Sequence, residues 1–250
     1  MPPKRVPEEI QFNKYLSRGN THWREEFGSI FQFNLGQHSR YRSVLSNIDE
    51  RYSTILDWGC GDGALSYHLL QRCDRFIGVD TETEGLDFFR QNLSAFEASF
   101  TLYEPTDYYG VPLPDSSVDC IVCSDVVEHV QRPEALVTEF HRLLRPGGHL
   151  VITTDYRMSE TPNDANHVRE YFPSEVREMV ERKFSSVQIK LYQKMKYHGL
   201  YSVKVRSRPV GRYLGNIMYK VFGYNPLMQD ETTKEKWDFF QQILAKAQKE

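Results

Sequence analysis

The stretch ILDWGCGDGA, residues 55–64, decides the fold. An apolar strand pattern runs into a loop with three glycines in five residues, and a helical pattern begins directly after it. Glycines let the backbone turn tightly and let a ligand approach the main chain closely. The N-terminus of the following helix offers N–H groups without partners in the helix. We therefore expect a ligand site where this strand passes into the helix.

Two carboxylates near the glycine loop, Asp80 and Asp57, indicate which class of ligand the loop binds. Asp80 lies twenty-one residues after Gly59, at the end of the next predicted strand, where a carboxylate suits the two hydroxyls of a ribose. With Ala64 in place of a third glycine, the spacing also fits the dinucleotide fingerprint, so a nicotinamide-dependent dehydrogenase stays open. Asp57 favours a cationic ligand instead, because it puts a negative charge where a pyrophosphate would lie.

Short β-branched runs alternate with helical patterns around this loop, which is typical of a parallel sheet flanked by helices. The predicted strands are 54–57, 75–80, 100–103, 118–123, 149–154, 187–192 and 201–206. The predicted helices are 64–71, 84–93, 134–144 and 173–182. We divide the chain into a helical N-terminal lid, a sheet domain and a helical C-terminal extension, at residues 1–50, 51–208 and 209–250.

Composition bounds the class of protein. The 250 residues are 40% hydrophobic and 26% charged, which excludes collagen-like, disordered and disulfide-scaffold proteins. Four cysteines, a charged and Pro-rich N-terminus and the lack of a long apolar run predict a cytoplasmic location. The sequence pI near 6.3 and the lack of a recognisable RNA-binding module argue against a nucleic-acid partner.

The net charge of −3 hides an asymmetry. From Arg182 to Gln229 there are ten Lys or Arg and no Asp or Glu, so this segment carries +10 and the rest carries −13. Such a segment attracts anions, although a solvated surface is the alternative. Within it, apolar residues at helical spacing predict an amphipathic helix over 210–222. Its stripe could pack on its own domain, form a homodimer interface, or make peripheral contact with an anionic membrane surface.

Five motifs occur in order around the glycine loop. They read LDWGCGDG, VD, VPLPDSSVD, DVVEHV and LLRPGGHL, at residues 56–63, 79–80, 111–119, 125–130 and 143–150. Together they resemble the class I S-adenosylmethionine-dependent methyltransferases, in the branch of small-molecule methylases. The resemblance implies a Rossmann-like, seven-stranded, mostly parallel sheet with its last strand antiparallel and helices on both faces. It also implies the cofactor S-adenosyl-L-methionine and the product S-adenosyl-L-homocysteine.

The resemblance further implies the cofactor contacts. The glycine loop wraps the methionine part, Asp57 lies near its amino end, and Asp80 takes the ribose hydroxyls. Asp107 would reach the adenine amino group, although Tyr103 or Glu104 could substitute, because an insertion loosens the match there. The remaining cofactor contacts implied are Gly59, Cys60, Gly61, Gly63, Thr81 and Ser124.

Catalytic candidates follow the fourth and fifth strands. Methyl transfer is an in-line displacement that needs a base only when the acceptor carries a tightly held proton, as an alcohol does. Glu128 and His129 match the family's acidic-His pair, which serves in acid–base catalysis in some members and only shapes the pocket in others. His167 is the third catalytic candidate, with an ordinary loop before a helix as the alternative. The candidate substrate-binding residues are Tyr15, His22, Asp155, Tyr156 and Arg169.

We therefore expect O-methylation of a small-molecule or glycan acceptor that bears negative charge, without a metal. N- or C-methylation of an amine or a quinone, and a non-catalytic scaffold that binds the cofactor, are the alternatives.

Overall fold

A seven-stranded sheet forms the centre of the protein. The computed structural model describes residues 14–48, 50–96, 99–105, 109–162, 164–207, 209–228 and 240–250. The strands are β1 (Tyr52–Trp58), β2 (Cys73–Val79), β3 (Phe100–Tyr103), β4 (Val118–Ser124), β5 (Leu144–Asp155), β6 (Ser185–Lys194) and β7 (Phe240–Gln248). Their order is β3-β2-β1-β4-β5-β7-β6, and β7 runs antiparallel to both of its neighbours. The predicted fold class is confirmed.

Helices cover both faces of the sheet, which makes three layers. The helices are α1 (Lys14–Arg18), α2 (Thr21–Phe27), α3 (Leu35–Leu45), α4 (Ala64–Leu70), α5 (Thr83–Asn92), α6 (Pro133–Leu143), α7 (Pro173–Glu181), α8 (Met195–Tyr201) and α9 (Val210–Phe222). One core cluster joins the sheet to α3, α4 and α5, and another joins its opposite face to α6 and α7. Strands such as β1 and β4 are nearly continuous in apolar residues because they are buried on both faces.

The parallel strands bring the sequence motifs to one edge. The glycine loop, Asp80 and Glu128 follow the carboxyl ends of β1, β2 and β4, and Asp155 is the last residue of β5. In open α/β sheets, ligands bind at this edge. The fold therefore gathers residues that lie nearly a hundred positions apart in the sequence.

The C-terminal part differs from the predicted division at residue 208. Residues 240–248 form β7 inside the sheet, between β5 and β6, so 209–250 is not a purely helical extension. Ala, Gln and Lys in this stretch are good helix formers, but ladder hydrogen bonds on both sides and burial of Ile243 and Leu244 override that propensity. The predicted strand 201–206 is wrong, because Tyr201 ends α8 and the next residues turn towards α9.

Other helical predictions agree with the structure. The described part of the N-terminal region, residues 14–48, contains three helices, and α9 spans the predicted apolar stripe. Among the residues that the structure describes, we find no helix long and apolar enough to cross a membrane.

Candidate active site

A cavity of about 540 Å³ opens at the carboxyl edge of the sheet. Its volume falls in the range of ligand pockets, about 300–1,000 Å³. The strand ends form one wall, and α1 and α3 form the other. The predicted site residues that line it are Tyr15, His22, Gly59, Cys60, Asp80, Thr81, Ser124, Glu128, His129, Asp155 and His167.

The glycine loop is closely packed against its surroundings. Gly59 and Gly61 have φ angles of +83° and +51°, in the left-handed region that side chains disfavour. A Cβ on Gly61 would lie 1.9 Å from the Tyr15 hydroxyl, and one on Gly59 would lie 2.3 Å from Val126 Cγ2. Gly63 caps the N-terminus of α4 and faces Phe89, so it shapes the loop without lining the cavity.

Asp80 is fixed by the backbone around it. Its Oδ2 accepts a hydrogen bond from Gly61 N at 2.7 Å, and its Oδ1 accepts one from Glu82 N at 2.9 Å. Burial raises the pKa of Asp80, and these backbone hydrogen bonds oppose the rise. A carboxylate has about four acceptor positions, so Asp80 keeps capacity for the two hydroxyls of a ribose.

The other acidic predictions near the loop have different surroundings. Asp57 is buried behind the loop, accepts a hydrogen bond from Ser66 Oγ at 2.6 Å, and does not line the cavity as the described residues form it. Burial raises the pKa of Asp57 to about 7. This carboxyl therefore joins β1 to α4. Asp107 lies outside the described residues.

The segment after β4 carries the acidic-His pair. Glu128 is buried and accepts a hydrogen bond from Thr154 Oγ1 at 2.9 Å. Burial and the neighbouring Asp155 raise the pKa of Glu128. Glu128 therefore favours its protonated form, and its hydrogen bond with Thr154 joins this segment to the end of β5.

His129 is a neutral imidazole in this cavity. Burial lowers its pKa to about 4, and its Nδ1 lies 3.0 Å from the Asn166 carbonyl oxygen. Because a carbonyl only accepts, Nδ1 carries the proton and Nε2 is the basic nitrogen of the ring. The His167 ring lies beside it, with the ring centroids 4.9 Å apart. Two imidazoles from separate segments therefore meet at one point.

Carboxylates surround His167. Its Nδ1 lies 3.1 Å from Oε1 of the buried Glu170, and its Nε2 lies 3.8 Å from Asp155 Oδ2. Asp155 in turn accepts a hydrogen bond from Gln242 Nε2 of β7. Sequence reasoning missed Glu170 and Gln242, although Glu170 lies three residues after a candidate that it identified.

The imidazoles and carboxylates are close enough together to raise the question of a metal. One ligand atom each from Glu128, His129 and His167 lies within 4.8 Å of the others, as do atoms of Asp155, His167 and Glu170. Hydrogen bonds and ion-pair contacts within the protein engage these side chains.

Helices α1 and α3, which form the wall opposite the strand ends and which we call the cap, supply cations that sequence reasoning did not identify. Lys14, Arg18 and Arg40 line the cavity from α1 and α3, and Arg40 forms an ion pair with Asp125. Burial lowers the pKa of Lys14 to about 8. Lys14 and Arg18 share one helical face at i, i+4, which was an available signal. The cavity is therefore basic on the cap side and acidic on the sheet side.

Tyr15 and His22 join the cap to the loop. Tyr15 N donates to Glu82 Oε2 at 3.0 Å, and the Tyr15 hydroxyl lies 2.9 Å from His22 Nδ1. Burial lowers the pKa of His22, so this ring stays neutral. The two predicted lid residues thus form a hydrogen-bonded pair over the glycine loop.

Two predicted substrate contacts lie elsewhere. Tyr156 packs against Phe172, and Arg169 donates to the Gln131 carbonyl at 3.0 Å. Neither lines the cavity as the described residues form it. The backbone explains why Arg169 lies outside the cavity. Val168 N and Arg169 N both donate to the Glu128 carbonyl, and the chain turns there.

Known proteins share this domain. Residues 56–152 match the family model described as a methyltransferase domain. A probable S-adenosylmethionine-dependent methyltransferase of Mycolicibacterium smegmatis is 31% identical over 133 residues, which are 51% of this chain and 49% of that protein. The malonyl-[acyl-carrier protein] O-methyltransferase of Yersinia pestis is 32% identical over 121 residues, which are 48% of this chain and 43% of that protein.

A solved structure shows the same fold at greater coverage. The N-methyltransferase NodS of Bradyrhizobium japonicum, in complex with S-adenosyl-L-homocysteine, is similar with a TM-score of 0.61 at 17% identity. The match covers 95% of this chain and 99% of that one. The chain spans about half or less of the length of the curated relatives named above. Residues 56–152 of this chain are therefore a methyltransferase domain, and the chain shares the fold of NodS.

Proposed function

We propose that this protein transfers the methyl group of S-adenosyl-L-methionine to an oxygen of a small-molecule or glycan acceptor that bears negative charge. The observation that carries the proposal is the pair of imidazoles, His129 and His167, at the edge of the sheet that also carries the glycine loop. A hydroxyl acceptor needs a base, and a neutral imidazole is one.

The residues at the loop fit the cofactor. Gly59 and Gly61 form a left-handed turn with no side chain between the main chain and a ligand, and Asp80 is held ready to accept two hydroxyl donors. When bound, the cofactor supplies a methyl group activated by a sulfonium. The acidic sheet edge suits that positive charge, because opposite charges attract strongly in a partly buried cleft.

The acceptor side of the cavity handles the proton and the charge. Nε2 of His129 would accept the proton that the acceptor hydroxyl loses, and the His167 ring lies beside it with its Nδ1 3.1 Å from Glu170 Oε1. Lys14 and Arg18 hold the negative group of the acceptor from the cap, beside Arg40, which is paired with Asp125. Closure of α1 over the loop excludes water, which would compete as a nucleophile.

N-methylation is the second candidate, and the acidic side of the cavity favours it. Asp125 and Asp155 suit an ammonium group, and NodS is an N-methyltransferase of the same fold. C-methylation of a quinone would use the same cofactor-binding residues. A scaffold without turnover would keep the glycine loop but would make no use of a paired imidazole.

An isotope-labelled methyl group distinguishes these readings. The protein is incubated with labelled cofactor and separate pools of sugar phosphates, hydroxy acids and amines, and the methylated atom is assigned by mass spectrometry and NMR. We expect label on oxygen of an anionic acceptor. Label on nitrogen or carbon contradicts the O-methylation proposal. Cofactor binding without transfer to any of the pools supports the scaffold.

A further inference from the structure

Helix α9 packs on the protein by its polar side. Asn216 is its buried residue, and its Nδ2 donates to the carbonyls of Ile30 and Phe33, each at 2.8 Å. One turn away on either side, Arg212 Nε donates to the Phe33 carbonyl at 3.0 Å, and the Tyr219 hydroxyl lies 2.6 Å from His38 Nε2. Residues at spacings of four and three lie on one helix face. Hydrogen bonds therefore fix α9 to the loop before α3 and to α3 itself.

The apolar side of α9 faces outward. Its members, which we call the α9 outer face, are Leu214, Ile217, Met218, Val221 and Phe222. Their exposed fractions run from 41% for Ile217 to 75% for Phe222. Most amphipathic helices bury the apolar stripe and expose the polar one, and this helix does the reverse. A contiguous apolar face of this kind marks an interaction site.

Exposed basic residues lie in the turn that leads into α9. Lys204 and Arg206 are exposed there, the turn is joined to α9 by a hydrogen bond from Gly211 N to the Val203 carbonyl at 3.0 Å, and the segment from Arg182 to Gln229 contains no acidic residue. Lys220 follows Asn216 by four residues and so lies towards the polar side of α9, where its Nζ is 4.2 Å from the centre of the Phe33 ring. An apolar stripe with flanking cations is the pattern of a helix that lies in the plane of an anionic lipid surface.

We infer that the α9 outer face docks this protein on an anionic lipid surface. The inference goes beyond the proposed function and stands on different residues. The helix lies flat, because its thirteen residues span about 20 Å and its polar side is held by the protein. The apolar side chains enter the interface while the basic residues meet the negative headgroups.

Charge favours lipid over a second copy of the chain. A two-fold interface brings the same patch of both copies together. Here it would bring together two copies of a basic segment that contains no acid to offset its charge. An anionic surface neutralises exposed basic residues such as Lys204 and Arg206, and each basic residue near such a surface strengthens binding about fivefold.

Two methionines give a matched test. Met218 on α9 and Met158 in the loop after β5 are 43% and 42% exposed, so aspartate at either position perturbs folding to a similar small degree. The probes are phosphatidylcholine vesicles with and without roughly a third phosphatidylserine, and the readout is cosedimentation at low and high salt. Thermal unfolding and cofactor titration check that Met218→Asp, Met158→Asp and Phe222→Ser remain folded.

We expect the wild type to bind the vesicles that contain phosphatidylserine and not the neutral ones. This binding should weaken as the salt concentration rises. Met218→Asp and Phe222→Ser lower binding by about tenfold or more, and Met158→Asp leaves it unchanged. Equal loss in Met218→Asp and Met158→Asp overturns the proposal, as does lack of binding by the wild type. A lipid-free dimer that Met218→Asp dissociates, without vesicle binding, assigns the face to a second copy.

Discussion

The two halves of the cavity are built in different ways. The cofactor half uses backbone groups and side chains from one continuous stretch, since the glycine loop and Asp80 follow the neighbouring strands β1 and β2. The acceptor half uses side chains from separate segments, among them His129 after β4, His167 before α7 and Gln242 in β7. The cofactor half therefore depends on local backbone conformation, whereas the acceptor half depends on how separate segments pack together.

The largest effect is expected in the cofactor half. Gly61→Val abolishes cofactor binding, because the side chain would collide with Tyr15 at a left-handed backbone position. Isothermal titration measures it. Gly147→Val is the control, since Gly147 is also left-handed, at φ +82°, but has nothing within 4 Å. Both variants lose about 1–2 kcal/mol of stability to backbone strain. Binding by Gly61→Val close to that of the control would contradict a tightly built loop.

The acceptor half is tested next at His129. His129→Ala lowers kcat by about 100-fold and leaves cofactor affinity unchanged, because a general base acts only on the acceptor proton. His141→Ala on α6 is the control, since its ring packs against Phe184 away from the cavity. A near-wild-type kcat for His129→Ala would remove this ring from the mechanism.

Asp80 sharpens the contrast from the cofactor side. Asp80→Ala weakens cofactor binding by about 1–3 kcal/mol, through loss of hydrogen bonds to a charged group, and affects kcat less. Asp74→Ala on the same strand is the control, because its side chain is exposed and pairs with Arg51. Unchanged cofactor affinity in Asp80→Ala would exclude the ribose assignment.

Glu128 makes stability depend on pH. Its raised pKa means that the folded state holds a proton that the unfolded state has lost, so stability falls as pH rises above about 4.3, the ordinary value for Glu. Glu128→Gln removes this dependence of the unfolding free energy on pH, which extends from the ordinary Glu value up to the raised pKa of about 8. Thermal unfolding across pH measures it. Glu134→Gln, which removes an exposed carboxyl, is the control and keeps the wild-type dependence of stability on pH. If Glu128→Gln kept the wild-type dependence of stability on pH, another group would be its source.

The smallest effect concerns the cap. Arg18→Gln raises KM for an anionic acceptor by a few-fold, since a partly exposed ion pair contributes about 0.2–1 kcal/mol. Higher salt does the same in the wild type and less in the variant. Arg90→Gln is the control, because Arg90 pairs with Asp87 on α5. A KM independent of salt would remove the cap cations from acceptor binding.

Sequence reasoning succeeded where one short stretch determines the structure. The residues of the glycine loop and Asp80 lie in the strand–loop–helix–strand order that their spacing indicates, and β3 matches its predicted bounds. Each of these depends on nearby residues, because backbone conformation and hydrophobic patterning act locally.

Sequence reasoning failed where partners far along the chain decide. β7 reads as a helix until its place between β5 and β6 is known. Arg40 gains its role only because α3 packs over the strand ends. Arg169 follows His167 by two residues, yet hydrogen bonds to the Glu128 carbonyl turn the chain and direct Arg169 to Gln131. Such contacts carry no local signature.

The position of β7 also sets an order of folding. β5 and β6 have no common partner until residues 240–248 have been synthesised, and Asp155 of β5 pairs with Gln242, 87 positions later. Contacts of such sequence separation close slowly, because a long loop must be ordered first. The strands β1, β2 and β3 pair within about 50 residues of one another. The cofactor loop can therefore form on the nascent chain before the acceptor side of the cavity exists.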